Sequence, residues 1–108
     1  MNIPDNAVIP LEKLTNYLLR PRPIDDKSKF LTRMGFTREK PELLLTAIRE
    51  LAQKIDAAED GSNAYGVFYR MTGKLDGPNG ASRDVVLIWI CWHLDQSFHF
   101  VTLKPLRG

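Results

Sequence analysis

Two hydrophobic rhythms divide the chain. From Pro10 to about Asp56 apolar residues recur every three or four positions; from Tyr65 to Lys104 they alternate or run together. Leu11, Leu14, Leu18 and Leu19 follow Pro10, which suits the first turn of a helix. They predict a helix that stops at Arg20, because Pro21 and Pro23 forbid its continuation. Asp25 or Asp26 is placed to cap a second, short helix carrying Phe30, Leu31 and Met34, with Gly35 as its C-cap. A third helix, with Pro41 in its first turn, runs to about Asp56 and turns Leu44, Ala47, Ile48, Leu51 and Ile55 toward a core. Ala57 to Asn63 contains Asp60-Gly61-Ser62-Asn63 and predicts a loop.

Beyond that loop the period changes to two. Tyr65, Val67, Tyr69 and Met71 point one way, and Phe68, Arg70, Thr72 and Lys74 the other, so Tyr65 to Leu75 predicts a strand with one wet face. Gly77-Pro78-Asn79-Gly80 is a turn. Val85 to Trp92 is apolar on both faces, as expected of a central strand covered on both sides over part of its length. His93 to Ser97 turns the chain, and Phe98 to Lys104 forms a further strand before Pro105. The predicted fold class is α+β: three N-terminal helices packed on a C-terminal antiparallel β-meander of three strands, or four.

Length and composition narrow the class without naming a function. The 108 residues suit one domain, and 44% hydrophobic with 26% charged residues is an ordinary globular balance. A single cysteine, Cys91, excludes an internal disulfide and any CxxC metal pair, which fits a reducing, cytoplasmic setting. The start, Met1 to Asn6, has no secretory pattern, and the longest apolar run, Val85 to Trp92, is far short of the roughly 18 residues needed to span a bilayer. Neither a membrane nor a cofactor is expected.

Charge placement says more than the net charge of +2. Between Arg20 and Lys40 lie seven basic residues (Arg20, Arg22, Lys27, Lys29, Arg33, Arg38 and Lys40) against three acidic ones. Such a segment can hold phosphates through charge-assisted bonds and counterion release, but short basic stretches are common on surfaces, and a solvated helix face with no ligand is the more ordinary explanation. The file Arg70-Thr72-Lys74 either lines a cleft, where fixed cations stabilise developing phosphate charge, or is an exposed strand end. Of the two histidines, His93 lies at a strand-to-turn junction. His99 lies within the last strand, facing away from Phe98 and Phe100, with no partner carboxylate at a recognisable spacing. Cys91 and His93 share one side of a strand, but two ligands do not make a zinc site, so no metal is expected. Cys91 sits in an apolar run that would keep its thiol inert, and Trp89 and Trp92 fall on opposite faces, so at least one belongs to the core.

Several motifs carry a resemblance. Ile9-Pro10-x-x-Lys13-Leu14-x-x-Tyr17-Leu18-Leu19, Lys27-x-x-Phe30-x-x-x-x-Gly35-Phe36, Tyr65-Gly66, Gly73-x-Leu75-x-Gly77-Pro78-Asn79-Gly80, Trp89, and Val101-Thr102 with Pro105 resemble a family of small bacterial proteins described as a domain of unknown function. Its members look similar to toxin partners of two-gene operons. Their layout resembles the barnase, colicin and RelE-type group of metal-independent ribonucleases, which cleave RNA through the 2′-hydroxyl. The resemblance implies a catalytic role for Lys27, the family's helix lysine, and for Thr102, its last-strand threonine; Lys13 and Tyr65 match further family positions. The sequence departs from the family in two places. The His-Pro-x-Gly stretch usual before the lysine is missing from Arg20 to Asp26, and the usual Thr-Ala-Tyr-Pro ending is Thr102-Leu103-Lys104-Pro105 here.

Two function classes follow. In a ribonuclease-like toxin, Lys27 holds phosphate or assists proton transfer, Arg70 stabilises developing charge, Thr102 positions substrate, and His99 is the candidate base. Arg20, Arg22, Lys29, Arg33 and Lys74 would then bind the RNA. In the alternative the chain is a non-catalytic protein- or nucleic-acid-binding module, or an immunity or antitoxin-like subunit. Expected partners are RNA, a cognate antitoxin or immunity protein, or a second copy joined through an open sheet edge.

Overall fold

The computed structural model describes residues 2–19 and 28–106. Its elements run α1 (Leu11–Lys13), a π-helical turn (Leu14–Leu18), α2 (Ser28–Arg33), α3 (Pro41–Lys54), β1 (Ala58–Ser62), β2 (Gly66–Asp76), β3 (Ser82–Trp92) and β4 (Phe98–Pro105). The strands form one antiparallel sheet in the order β1-β2-β3-β4. The α+β class and the meander match expectation.

The helical half differs from the expected three helices packed on the sheet. After one α turn the first helix widens, and the Leu19 N–H bonds back to the Leu14 carbonyl at 2.8 Å, five residues earlier. A leucine repeat cannot distinguish this wider winding from α. The α2 helix has only six residues. The one long helix, α3, lies in the middle of the chain and against β2, while α1 and the π turn pack on α3. Before Pro10 the chain buries Ile3, Ala7 and Ile9 without forming a helix. The Arg49 guanidinium of α3 straps this segment down by donating to the carbonyls of Asp5 and Ala7, both at 3.1 Å.

The expected loop after α3 is partly a strand. All five residues of β1 are exposed, so no hydrophobic alternation announces it. Its backbone nevertheless pairs with β2, Ala58 opposite Arg70 and Glu59 opposite Tyr69, before a register shift sets Ser62 opposite Val67. Asn63 then closes the hairpin, its Oδ1 accepting the N–H groups of Tyr65 at 2.8 Å and Gly66 at 3.1 Å. Among the described residues the outer edge of β1 carries no further strand, so the edge expected to admit a second copy or a partner lies here. At the other edge Val8 bridges β4 in parallel, donating to the Phe98 carbonyl and accepting from the Phe100 N–H, both at 2.8 Å.

The two most specific family motifs meet in space. Gly35, in the left-handed region at φ +97°, ends α2. Directly beyond it, the turn Gly77-Pro78-Asn79-Gly80 completes the cap. The Asn79 Nδ2 donates to the Arg33 carbonyl at 2.7 Å, and its backbone N–H donates to the Met34 carbonyl at 3.4 Å. The Asn79 Oδ1 accepts the Ala81 N–H at 3.0 Å, which holds the turn in shape. These motifs are therefore a clasp between α2 and the β2–β3 hairpin.

The core fills the helical face of the sheet. Met71, Val85, Leu87, Trp89, Phe100 and Leu103 meet Leu14, Leu31, Leu44 and Ile48 there, all nearly inaccessible. Of the two tryptophans, at least one of which was expected in the core, Trp89 is the buried one, its Nε1 donating to the Met71 sulfur at 3.2 Å.

Candidate functional site

Alternation along β2, β3 and β4 builds the second face from the side chains the core leaves over. In register these are Phe68, Arg70, Thr72 and Lys74; then Val86, Ile88, Ile90 and Trp92; then His99, Thr102 and Lys104. None of the core-forming residues of the described helices packs with this face. Val86 and Ile90 are buried at its centre, while Arg70, Thr72, Lys74 and Lys104 are exposed around them. The result is an apolar floor rimmed mostly by cations, with exposed Asp84 opposite Lys74 as the acidic exception.

A bulge shapes the β4 side. Ile88 pairs with Thr102 and Trp89 with Phe100, so Val101 is the extra residue. It keeps Phe100 and Leu103 in the core while His99 and Thr102 share the second face. Arg70 and Thr102 flank Ile88 on either side, about 10 Å apart across two strand spacings. The hydroxyl of Thr102 is buried and has no hydrogen-bond partner among the described residues. A buried hydroxyl left unpaired costs about 1–3 kcal/mol, so the position is unfavourable for folding alone. Thr102→Val is accordingly expected to stabilise the protein by about 1 kcal/mol, raising the melting temperature by about 4–8 °C in a thermal scan.

At the β3–β4 turn a polar file leads to His99. The Ser97 hydroxyl donates to Asp95 Oδ1 at 2.6 Å and lies 2.8 Å from His99 Nε2; the Ser97 N–H also donates to Asp95 Oδ1, at 3.0 Å. The Ser97 hydroxyl and N–H hold the Asp95 carboxyl below its usual range, with a smaller contribution from His99. The structure thus corrects the expectation that His99 lacks a carboxylate: Asp95 reaches it through Ser97. The reversal of chain direction, helped by Gln96 at φ +61°, brings the three together. Their spacing, Asp-x-Ser-x-His, was the available sequence signal. The His99 ring meets the Trp92 ring edge-on at 5.5 Å, and Trp92 meets Tyr65, 67% exposed, at 6.3 Å.

The remaining candidates are distributed as follows. Arg70, Lys74, Thr102 and His99 share the second face. Lys74 also borders a shallow depression with Glu50, Lys54 and Asp76, so acid as well as base surrounds it. Lys29 and Arg33 are exposed on α2 in the helical layer. Arg20, Arg22 and Lys27 lie outside the described residues. Lys13 is drawn to the site's margin, its Nζ donating to the Phe100 carbonyl at 3.5 Å beside the bulge. His93 ties the two loops at this end together, Nε2 lying 3.1 Å from the Asn63 carbonyl. Burial, and to a lesser extent Asp95, pushes the Cys91 thiol up, away from the reactive thiolate. No described helix is long and apolar enough to cross a membrane.

A chain of a contact-dependent growth inhibition toxin–immunity protein complex from Klebsiella pneumoniae 342 superposes with a TM-score of 0.68 at 18% sequence identity, over 95% of this chain and 96% of that one. At that identity the likeness shows a shared fold. No curated protein matches the sequence. The model of DUF6883, a domain of unknown function, matches residues 2–107, nearly the whole length, and the chain belongs to that family.

Proposed function

We propose that the chain is a toxin-like, metal-independent ribonuclease that works on the second face of its sheet. One observation carries this reading. The buried hydroxyl of Thr102, unpartnered among the described residues, lies on the face that also holds Arg70, Lys104 and His99. An orphaned hydroxyl beside cations suits a phosphate oxygen, which would accept its hydrogen bond and the guanidinium's charge together. His99 takes the proton of a ribose 2′-hydroxyl, O2′ attacks phosphorus, and the P–O5′ bond breaks. The departing oxygen takes a proton from water, leaving a 2′,3′-cyclic phosphate and a 5′-hydroxyl. Arg70 stabilises the charge that builds on the phosphorane. The motif resemblance to toxin-like bacterial proteins and the fold shared with a chain of a toxin–immunity complex support the same reading. A toxin acting on cytoplasmic RNA calls for a cognate protein that blocks it, and the free edge of β1 offers such a partner a strand to pair with.

Induced expression in a bacterial host is expected to slow growth and fragment total RNA. Arg70→Ala should lower the cleavage rate of the purified protein by about a hundredfold. A wild type that neither slows growth nor cleaves any RNA sinks this reading. Salt-sensitive RNA binding without cleavage would instead favour a binding module.

A further inference from the structure

His99 is the base in the reading above, and the following rests on that reading. A neutral imidazole is useful as a base only at the nitrogen that carries no proton, and the neighbours of the other nitrogen decide which that is. At His99 the neighbour is the Ser97 hydroxyl, which has one proton to give. At 2.6 Å its bond to Asp95 Oδ1 is in the range of a charge-assisted O–H···O⁻ bond. With its proton committed there, the Ser97 oxygen can only accept from Nε2–H. The lone pair is then on Nδ1, which has no protein partner among the described residues.

We propose that Asp95 and Ser97 are positioning residues that hold His99 in its Nε2–H tautomer and leave Nδ1 as the base for the ribose 2′-hydroxyl. When Nδ1 takes that proton, the ring becomes an imidazolium whose charge is met by Asp95 through Ser97. Trp92, edge-on to the ring, fixes its plane from the β3 side. Few other charges compete. Ile90 and Phe68 face the ring from β3 and β2, the N-terminal segment presents Val8, and the Tyr65 phenol lies beyond Trp92. Lys13 approaches from the helical side, bonded to the neighbouring Phe100 carbonyl.

The test combines a spectroscopic readout with kinetics on the full chain. In nitrogen-15 NMR of the histidine rings, the wild type should show protonated Nε2 and bare Nδ1 at His99. Ser97→Ala and Asp95→Asn should show mixed tautomers, with folding checked by circular dichroism. On a single-stranded RNA substrate both variants should lose about tenfold or more in kcat with little change in KM. Ser97→Thr, which keeps the hydroxyl, should restore both tautomer and rate. A wild type with the proton on Nδ1, or variants with unchanged rate and tautomer, overturns the relay while leaving a ribonuclease reading standing. The Nε2–H tautomer in a wild type that cleaves no RNA overturns the catalytic role and the ribonuclease reading together.

Discussion

Replacing Trp89 by alanine is expected to remove about 3–5 kcal/mol of stability, the range for deleting a fully buried tryptophan. A chain of this length has about 5–15 kcal/mol in total, so the loss takes a large share of it. Trp89 is inaccessible to solvent, meets the Phe100 ring edge-on at 5.5 Å, and gives its indole N–H to Met71 on the adjoining strand. It also borders the seam where Ile3, Ala7 and Ala52 close over the sheet. One cavity would therefore loosen β2, β4, α3 and the N-terminal segment together. Thermal unfolding followed by far-ultraviolet circular dichroism should show the midpoint falling by at least about 12 °C. Trp89→Phe, which keeps most of the apolar area but not the N–H, should fall in between. A fall below about 4 °C for the alanine variant would mean that the sheet packs without this side chain.

Gly77→Ala is the second large effect, and it works by overfilling. A Cβ at this position would fall on the carbonyl oxygen of Met34 and come within 2.7 Å of the Met34 Cβ. The oxygen is backbone, so no rotamer change relieves the contact. The hairpin must move away from α2, and with it go the two bonds from Asn79 that cap the helix. We expect a loss of about 3 kcal/mol, at the top of the overpacking range. Asn79→Ala, which removes both side-chain bonds without a clash, should cost about 1–2 kcal/mol. Urea titration of the two variants orders them; equal midpoints would show that the turn does not bear on α2.

How legible these features were depended on whether they left an apolar rhythm. The stripe of α3 and the two-sided burial of β3 did, and both were found where expected. The β1 strand did not, because its five exposed residues are held by backbone pairing alone. The π turn was hidden because Leu14 and Leu18 suit either winding. At the site, parity in the sequence set Arg70 on the polar side of its strand and His99 opposite Phe98 and Phe100, but Thr102 joins His99 only through the bulge at Val101, which alternation does not show. The link from Asp95 to His99 was missed because it depends on a loop conformation, and loop conformation is carried by single φ values such as that of Gln96. The Gly-Pro-Asn-Gly motif was read correctly as a turn. Its partner, the end of a helix 46 residues earlier in the chain, has no signature in the sequence.

That separation also bears on the order in which the molecule assembles. Closing a loop of 46 residues costs about 3 kcal/mol in chain entropy before any contact repays it. Six residues are too few for α2 to persist alone in water. The helix must therefore wait until α3 and the β2–β3 hairpin have brought the turn into place, and it forms against a finished surface. Lys29 and Arg33, two of the cations that made this region look like a phosphate binder, thus reach their final positions only in the last steps of folding.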